Sequence, residues 1–561
     1  MRKAAPWVAY VLLGLASLGC SIHQRTRSAV EAAGRAEPKS VCILMFDGLP
    51  DDTFSTLLAD GILPNLRKVV VEPGLRVETA VASVPSETYP NLAAILTGLL
   101  PGHHGIPANV WLDRRRRRRE AHTNIFRSYA AADFLVPEAK TIYERLPANT
   151  VALTAPISRG ATVDAKNVPA IMASYLRNDW SFLDRKTLDD VGDAYAGAVD
   201  AGTLPSVVFA HLIGTDEVAH DSGPDSPEFR QTMGSIDRAF GRLVRRLARR
   251  KVDDRILFVL VGDHGNSAYH TAVEIEEIVH RALFSHPAES DCHEEGCIVV
   301  PVSKGKEGAY DVGDAEIAVG AYCGAMIWLP SSRPPENLPT VFRTTRKKRP
   351  HLAAPTTPHH PMPNRYGFAA ALARRKEIQL VVTRGERPGE VHVYGPAGES
   401  LIMTEEQASG PDLYSYRVVD GTDPFGYTEV EEVHRNLGTA QTADWWLHAT
   451  ARSGAPDLVV QLSEFFDSPR SPDVYITPAP GYGFKFNRSA GHGSLARREM
   501  VVPLVFAGPG VPHGTLEAAR TVDLAPTILR YLGVPFDPEE MDGTDLSIEH
   551  PERSPGRKIR P

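Results

Sequence analysis

The sequence predicts an α/β protein: a mostly parallel sheet flanked by helices, with a large insertion or cap region. Three observations carry this reading. Val41–Phe46 (VCILMF), Val207–Leu212 (VVFAHL) and Ile256–Val261 (ILFVLV) are continuous apolar runs, the pattern of strands buried on both faces. Past their ends come Asp47, then Asp216 with His220, then Asp263 with His264, and ligands of open α/β sheets collect beyond the carboxyl ends of strands. Between the second and third runs, Ser226–Arg250 is amphipathic at helical spacing, with Ser226 placed as N-cap and Pro227 at the first helical position.

The chain has 561 residues, too many for one small core. Hydrophobic residues make up 42% and charged residues 23%, an ordinary globular balance. A formal net charge of −8 gives no global nucleic-acid footprint, and no nucleic-acid binding is expected. The five cysteines do not make a disulfide framework. Cys42 falls in a buried run, and Cys292 and Cys297 are close enough in sequence to bridge or to stay reduced.

Taken in order, Arg2 and Lys3 precede an apolar run from Ala4 to Leu18. It is shorter than the ~20 residues a membrane span needs, and its layout is that of a secretory signal. Ser17-Leu18-Gly19-Cys20 resembles a bacterial lipoprotein processing site with Cys20 acylated, although Leu18 sits two before the cysteine rather than three. The alternative is an ordinary signal peptide. The expectation is an exported protein, periplasmic or in the outer membrane of a bacterium, tethered by a lipid at its N-terminus. Residues 21–39 are polar without apolar periodicity and read as a linker.

After the first strand and Asp47-Gly48 comes a helix over about 51–60, then Leu63-Pro64-Asn65-Leu66. Ser86–Asn109 (SETYPNLAAILTGLLPGHHGIPAN) is the stretch that organises the chain. Pro90 suits the first helical position and Gly98 the position past the end, so Thr88 lies at a helix N-terminus, where free N–H groups favour a phosphate-like anion. A hydroxyl there can attack phosphorus if something lowers its pKa. Ser86 is farther from the helix start, Asn91 reads as a first-turn residue, and His103 and His104 as packing or turn-capping groups. Arg114–Arg119, an unbroken run of six arginines, reads as a solvated loop, with attraction of an anionic substrate as the alternative. Asp237 reads as a helix-surface partner.

From 268 to 456 the pattern loosens. Ile378–Thr383 and Glu390–Tyr394 look like a hairpin, and His359-His360 lie between prolines in a loop-like stretch. Apolar order returns at Asp457–Leu462 and Val474–Thr477, followed by Gly491-His492-Gly493, a further strand at Val501–Phe506 and a helix over Val522–Leu532 stopped by Gly533. The division expected is a signal peptide over 1–20, a linker over 21–39, catalytic core over 40–267 and 457–548, an insertion or cap over 268–456 and a tail over 549–561. Carboxylates and imidazoles collected at strand ends suit a borderline cation such as zinc.

FDG at Asp47, SETYPN at Thr88, HGIPAN at Asn109, TDEVAH at Asp216 and His220, GDHG at Asp263 and His264, and GHGS at His492 resemble the alkaline phosphatase superfamily. Their order is most like its type I phosphodiesterase / nucleotide pyrophosphatase branch. AGPGVPHG, DLAPTILRYLGVP and MDGTDL are similar to the superfamily's C-terminal signature. The resemblance covers Val41–Asn266 and Asp457–Leu546 and leaves the central insertion uncovered. It implies an alkaline-phosphatase-like fold and a two-metal site: Asp216, His220 and His492 on one zinc, and Asp47, Asp263, His264 and the nucleophile Thr88 on the other, with Mn2+ or iron as alternatives. It also implies a phospho-threonine intermediate, and Asn109 as donor to a phosphoryl oxygen. The gap from His264 to His492 is longer than in compact members, which leaves His270 and His359 as substitute ligands.

A sulfatase is disfavoured, because Thr88-Tyr89-Pro90-Asn91-Leu92 lacks both the oxidisable residue and the arginine that chemistry needs. A phosphomonoesterase stays open. It would use Arg159 against a dianion, although Ile157 stands where a partner lysine would be, and the ordinary role for Arg159 is a surface ion pair. The expected activity is hydrolysis of a phosphate ester, a diester or nucleotide before a monoester. A tethered binding protein without catalysis is the alternative from another class. The sequence leaves the physiological substrate and the oligomeric state open.

Overall fold

A computed structural model describes residues 21–33, 39–114, 118–121, 131–146, 149–275, 278–279, 316–320, 322–328, 365–550 and 559–560. Cys20, Cys292, Cys297, His359 and His360 lie outside the described residues. The principal elements for function are α1 (Ile22–Ala33), β1 (Ser40–Phe46), β2 (Leu75–Val81), α2 (Thr88–Thr97), β3 (Thr150–Leu153), β4 (Val163–Ala165), α3 (Trp180–Asp200), β5 (Val207–Leu212), α4 (Gly214–Ser222), α5 (Pro227–Arg249), β6 (Ile256–Gly262), β7 (Leu504–Ala507) and β8 (Gly514–Arg520).

The strands order as β8–β2–β7–β6–β1–β5–β3–β4 in one sheet. β6, β1, β5, β3 and β4 are mutually parallel, and β7 enters antiparallel between β2 and β6. The three apolar runs become the sheet centre: every residue of β1, β5 and β6 is buried. Helices cover both faces, as the continuous hydrophobicity requires. On one face α5 buries Phe229, Met233, Ile236, Phe240, Leu243 and Leu247, each contributing about 1.5–3 kcal/mol by leaving water. Ser226 caps α5 by accepting from Phe229 N at 3.1 Å. Together these observations give the mostly parallel, helix-flanked sheet that the sequence predicts.

A second sheet runs through Glu316–Gly320, Gly324–Trp328, Val474–Pro478, Ile378–Arg384, Glu390–Gly395, Gly398–Glu405, Leu413–Gly421 and Gln441–Thr442. The expected hairpin is present, with Val381 opposite Tyr394 and Thr383 opposite His392. Val474–Pro478 lies inside this sheet, so the sheet is not built from 268–456 alone.

Several local expectations are corrected. The stretch read as a linker contains α1, in which Thr26 and Val30 are buried and Ile22 and Ala29 pack against the core. These positions are helically spaced, but a threonine and an alanine among them dilute the apolar signal. Leu458–Phe465 is a helix, since a short apolar run does not by itself distinguish strand from helix. Pro503 splits the expected strand at 501–506 into Val501–Val502 and β7, and Ile559–Arg560 of the tail pairs with β8. Asp237 is buried rather than on the helix surface. It accepts from Leu66 N at 2.9 Å, Asn65 N at 3.0 Å and Asn65 Nδ2 at 2.7 Å, fixing the turn that the Pro64 segment begins.

Val110–Asp113, just before the arginine run, pairs with Arg118–Ala121, into which the run leads; residues 115–117 lie outside the described residues. Arg114 is not solvated: it pairs with Asp473 at 2.6 Å and donates to Ser471 O. His103 and His104 are buried packing groups. His103 Nδ1 sits 2.7 Å from Asp542, and His104 Nε2 sits 3.0 Å from Pro90 O.

Candidate active site

Asp47, Thr88, Asp216, His220, Asp263, His264 and His492 converge beyond the carboxyl ends of β1, β5 and β6. Asp47 follows β1 directly, and its N–H continues the sheet by donating to Leu212 O at 3.1 Å. Asp263 follows β6, and its Oδ1 accepts from Gly48 N at 3.1 Å and His264 N at 2.9 Å. Gly48 has φ of 67°, and a Cβ there would lie 2.4 Å from Asn266 Nδ2 and 2.5 Å from Asp216 Oδ1. Only glycine lets this turn pass so close to the carboxylates.

Asp216 and His220 lie one turn apart on α4, with His220 Nε2 3.0 Å from Asp216 Oδ2. His492 reaches them despite its distance in sequence. Ala490–Gly491 pairs with Ser267–Ala268, Tyr322 bridges to His492, and Cys323 N donates to His492 O at 2.9 Å. Ser86 Oγ accepts from Gly493 N at 3.0 Å and donates to Ser494 O at 2.7 Å. That hydroxyl therefore secures the returning loop and is not placed as a nucleophile. His270 is exposed and bonds its neighbour Thr271 at 2.9 Å, so no contact brings it to the cluster.

The three imidazoles share one arrangement. Nδ1 of His220 lies 2.9 Å from Ala490 O, that of His264 3.0 Å from Gly265 O, and that of His492 2.8 Å from Ser86 O. Donation from each Nδ1–H to a carbonyl orients the ring and leaves Nε2 as the atom that coordinates a metal once its proton is displaced, as metal-binding histidines require. The Nε2 atoms face carboxylates: His264 is 3.3 Å from Asp47 Oδ1, and His492 is 3.7 Å from Asp216 Oδ1. Among the described residues Asp263 Oδ2 is buried with no hydrogen-bond partner, and His264 Nε2 stands 3.5 Å away. A buried carboxylate oxygen without a partner is costly, and a cation is a fitting one. Asp216, His264 and His492 present ligand atoms within 4.8 Å of one another, and so do Asp47, His211 and Asp263. The chemistry of this donor set fits divalent cations. His264 lies between the two groups, so the tightest triads differ from the ligand sets that the resemblance implies.

The electrostatics are opposed within a few ångströms. Burial, then the charge of Asp47, pushes Asp263 up to about 8. Burial works against the charge on His264, but Asp263 and Asp47 outweigh it and raise that imidazole to about 10. Burial and the neighbouring charge of His264 hold His492 well below the usual histidine range.

Thr88 is the first residue of α2, so Pro90 is its third residue and not its first as the sequence suggested, and Gly98 closes the helix in the left-handed conformation. Its Oγ1 lies 3.1 Å from His264 Nε2 and 3.5 Å from Asp47 Oδ1. Asn91 ties down the preceding loop by donating to Ser83 O, Pro85 O and Glu87 O. Asn109 Oδ1 accepts from Tyr89 N at 3.0 Å, beside Thr88, so the donor Asn109 can offer a ligand is its Nδ2. Arg159 is engaged elsewhere: it pairs with Glu144 at 3.0 Å and donates to Ala139 O.

Two residues escape the sequence reading. His211, inside β5, places Nε2 2.8 Å from Asp47 Oδ2. Asn266 Nδ2 donates to Asp216 Oδ1 at 2.9 Å and to Gly48 O at 3.1 Å. The signal for His211 was a single imidazole in an otherwise apolar strand; Asn266 gave none.

The family model described as type I phosphodiesterase / nucleotide pyrophosphatase matches residues 41–406. The chain belongs to this family. It is a family of phosphoric ester hydrolases within the alkaline phosphatase superfamily. The match runs beyond Asn266, through much of the segment that the motif resemblance left uncovered. An uncharacterized pyrophosphatase/phosphodiesterase of Schizosaccharomyces pombe is 25% identical over 228 residues, 40% of this chain and 44% of that protein. Ectonucleotide pyrophosphatase/phosphodiesterase family member 3 of Mus musculus is 26% identical over 221 residues, 38% of this chain and 23% of that protein. The matched stretches thus span less than half of these relatives' own lengths. Murine ectonucleotide pyrophosphatase / phosphodiesterase 5 has a similar structure, with a TM-score of 0.52 at 15% identity, covering 91% of this chain and 99% of that one. At that identity the likeness establishes the alkaline-phosphatase-like fold.

Proposed function

We propose that this family member is a metal-dependent phosphodiesterase acting through a covalent phospho-threonine on Thr88. The observation that carries the reading is the position of the Thr88 hydroxyl, at a helix N-terminus and within 3.5 Å of both Asp47 and His264. Asp47, Asp216, His220, Asp263, His264 and His492 would hold two divalent cations, zinc with manganese or iron as alternatives. Such cations, when bound, supply charge neutralisation and lower the pKa of the oxygens they touch.

The chain's own residues do the rest. Thr88 Oγ1 forms the bond to phosphorus as the bond to the leaving oxygen breaks on the opposite side, and water then cleaves the Thr88 ester and restores the hydroxyl. Asn109 Nδ2 donates to a non-bridging oxygen as charge develops. The ring contacts give the site a direction. His264 stacks on His492 at 3.6 Å, His492 on His220 at 5.2 Å, and Tyr322 meets His220 edge-on at 4.7 Å. Thr88 lies beside His264 at one end of this row and Tyr322 at the other, which supports a leaving group that extends toward Tyr322.

The engagement of Arg159 with Glu144 favours a diester, which carries one charge fewer than a monoester. The relatives' names support nucleotide-like substrates, as does the similarity to an inactive form of the murine structural neighbour in complex with AMP. Export and an N-terminal tether at Cys20 are also proposed, on the apolar run from Ala4 to Leu18. No helix among the described residues is long and apolar enough to cross a membrane.

The test compares turnover of a bis-aryl phosphate diester and an aryl monoester by the zinc-loaded full chain, with acid trapping of the intermediate for mass spectrometry. Diester preference with phosphate on Thr88 is expected. Monoester preference would make the protein a phosphatase, and turnover without a modified Thr88 would remove the covalent step.

A further inference from the structure

The exposed side of α5 carries a row of four arginines that no ion pair neutralises. Arg238, Arg242, Arg245 and Arg249 are all exposed, and among the described residues none has an acidic partner. Spaced four, three and four apart, they fall within a wedge of about 60° and extend about 16 Å along the helix. Other arginines of the same helix segment behave differently. Arg230 pairs with Asp60 at 2.8 Å, Arg246 with Asp193 at 2.5 Å and Arg250 with Asp200 at 2.6 Å. Arg230, Arg246 and Arg250 each have a carboxylate partner, and the row is left positive on a chain whose formal net charge is −8.

The N-terminal helix brings a second, independent observation to the same place. His23, at the start of α1, binds Asp200 at 2.6 Å, and Asp200 is the residue that Arg250 binds at the end of α5. α1 crosses α3 so closely that a Cβ on Gly197 would lie 2.2 Å from His23 O. The proposed tether at Cys20 immediately precedes Ser21 and α1 in the chain, so it attaches beside the C-terminal end of the arginine row. A lipid tether and a positive face are brought together.

We propose that this face of α5 docks on an anionic phospholipid surface. Juxtamembrane Lys and Arg gain about 1 kcal/mol each near such a surface, and a single acyl chain holds a protein only marginally unless a basic patch adds a second signal. α5 crosses over between the parallel strands β5 and β6, so docking along its length lays these strands along the surface. The active site at their carboxyl ends then opens along the membrane rather than into it. The inference shares with the proposed function the export of the chain, and it is independent of the chemistry.

The test measures partition of the full chain onto phosphatidylcholine vesicles and onto vesicles that also contain phosphatidylglycerol. The N-terminal tether contributes to both, so the ratio isolates charge. The wild-type chain is expected to favour the anionic vesicles at least ~10-fold at low salt, with the preference lost near ~0.5 M salt. Combining Arg238→Gln, Arg242→Gln, Arg245→Gln and Arg249→Gln should bring the ratio close to one, and the same four positions changed to Lys should keep it. Circular dichroism checks the fold of each variant, whether or not any phosphodiester is turned over. A wild-type ratio of one, or a glutamine variant that keeps the preference, overturns the proposal. So does a wild-type ratio of one with duplex DNA bound through these arginines, which would make the face a nucleic-acid surface.

Discussion

The two halves of the candidate site are held by different means. Asp47 and Asp263 continue central strands, and their backbones are placed by the sheet: Asp47 N bonds Leu212 O, and Gly262 N bonds Pro503 O. His492 belongs to a segment held by a two-residue pairing with Ser267–Ala268, one bridge to Tyr322 and the Ser86 hydroxyl. Tyr322 itself has φ of 78°, a strained conformation for a residue with a large side chain. The strand-end half is over-determined by the fold. The returning half depends on a few bonds, and it is where the site can be loosened without unfolding the sheet.

The largest expected effect falls at the junction of the halves. Thr88→Ala should lower diester turnover on the order of 10⁴-fold or more while metal content and melting temperature stay near wild type. Substantial residual turnover would reject Thr88 as nucleophile. Next, His492→Ala should lose one equivalent of bound metal and nearly all activity, with unchanged circular dichroism. His211→Ala, on the strand-end side, should keep both equivalents and weaken metal affinity by about 10–100-fold, as loss of an orienting partner does. Equal metal loss in both variants would erase the distinction between the halves. Asn109→Ala should lower kcat by about 10²–10³ with metal unchanged, through loss of a donor aimed at developing charge; an unaltered kcat would remove Asn109 from the site.

The same contrast governs what was legible in the sequence. The strand-end residues could be read because a central parallel strand announces itself locally, as an unbroken apolar run, and the next polar residue is already at the sheet edge. Thr88 could be read because Pro90 and Gly98 frame its helix. The long gap to His492 obscured that residue, since its place depends on pairings between segments far apart in sequence that leave no periodic signal. His211 was hidden by the rule that revealed its neighbours: within VVFAHL a lone imidazole counts as an interruption of a buried strand. For Arg159 the two roles read from the sequence, a dianion ligand and an ion-pair partner, could not be separated there, because the pairing with Glu144 at 3.0 Å joins residues 15 apart. α1 was missed because its buried stripe includes Thr26, whose contribution exists only once α3 is there to cover it.

The smallest expected effect tests whether the strained contact in the returning half matters for the metals. Tyr322→Asn removes the ring that packs on His220 but keeps a residue that tolerates positive φ. Tyr322→Val removes the same ring and adds a branched Cβ, which disfavours that backbone conformation. If the backbone at 322 positions His492, the valine variant should bind zinc more weakly than the asparagine variant, by a factor of about 5–30 for a strain difference of 1–2 kcal/mol. Isothermal titration of the metal-stripped chain with zinc reads this directly, without reference to turnover. Equal affinities in the two variants would mean that the side-chain contact with His220, and not the bridge to His492, is what Tyr322 contributes. The returning half would then be held mainly through Ser86 and the pairing with Ser267–Ala268.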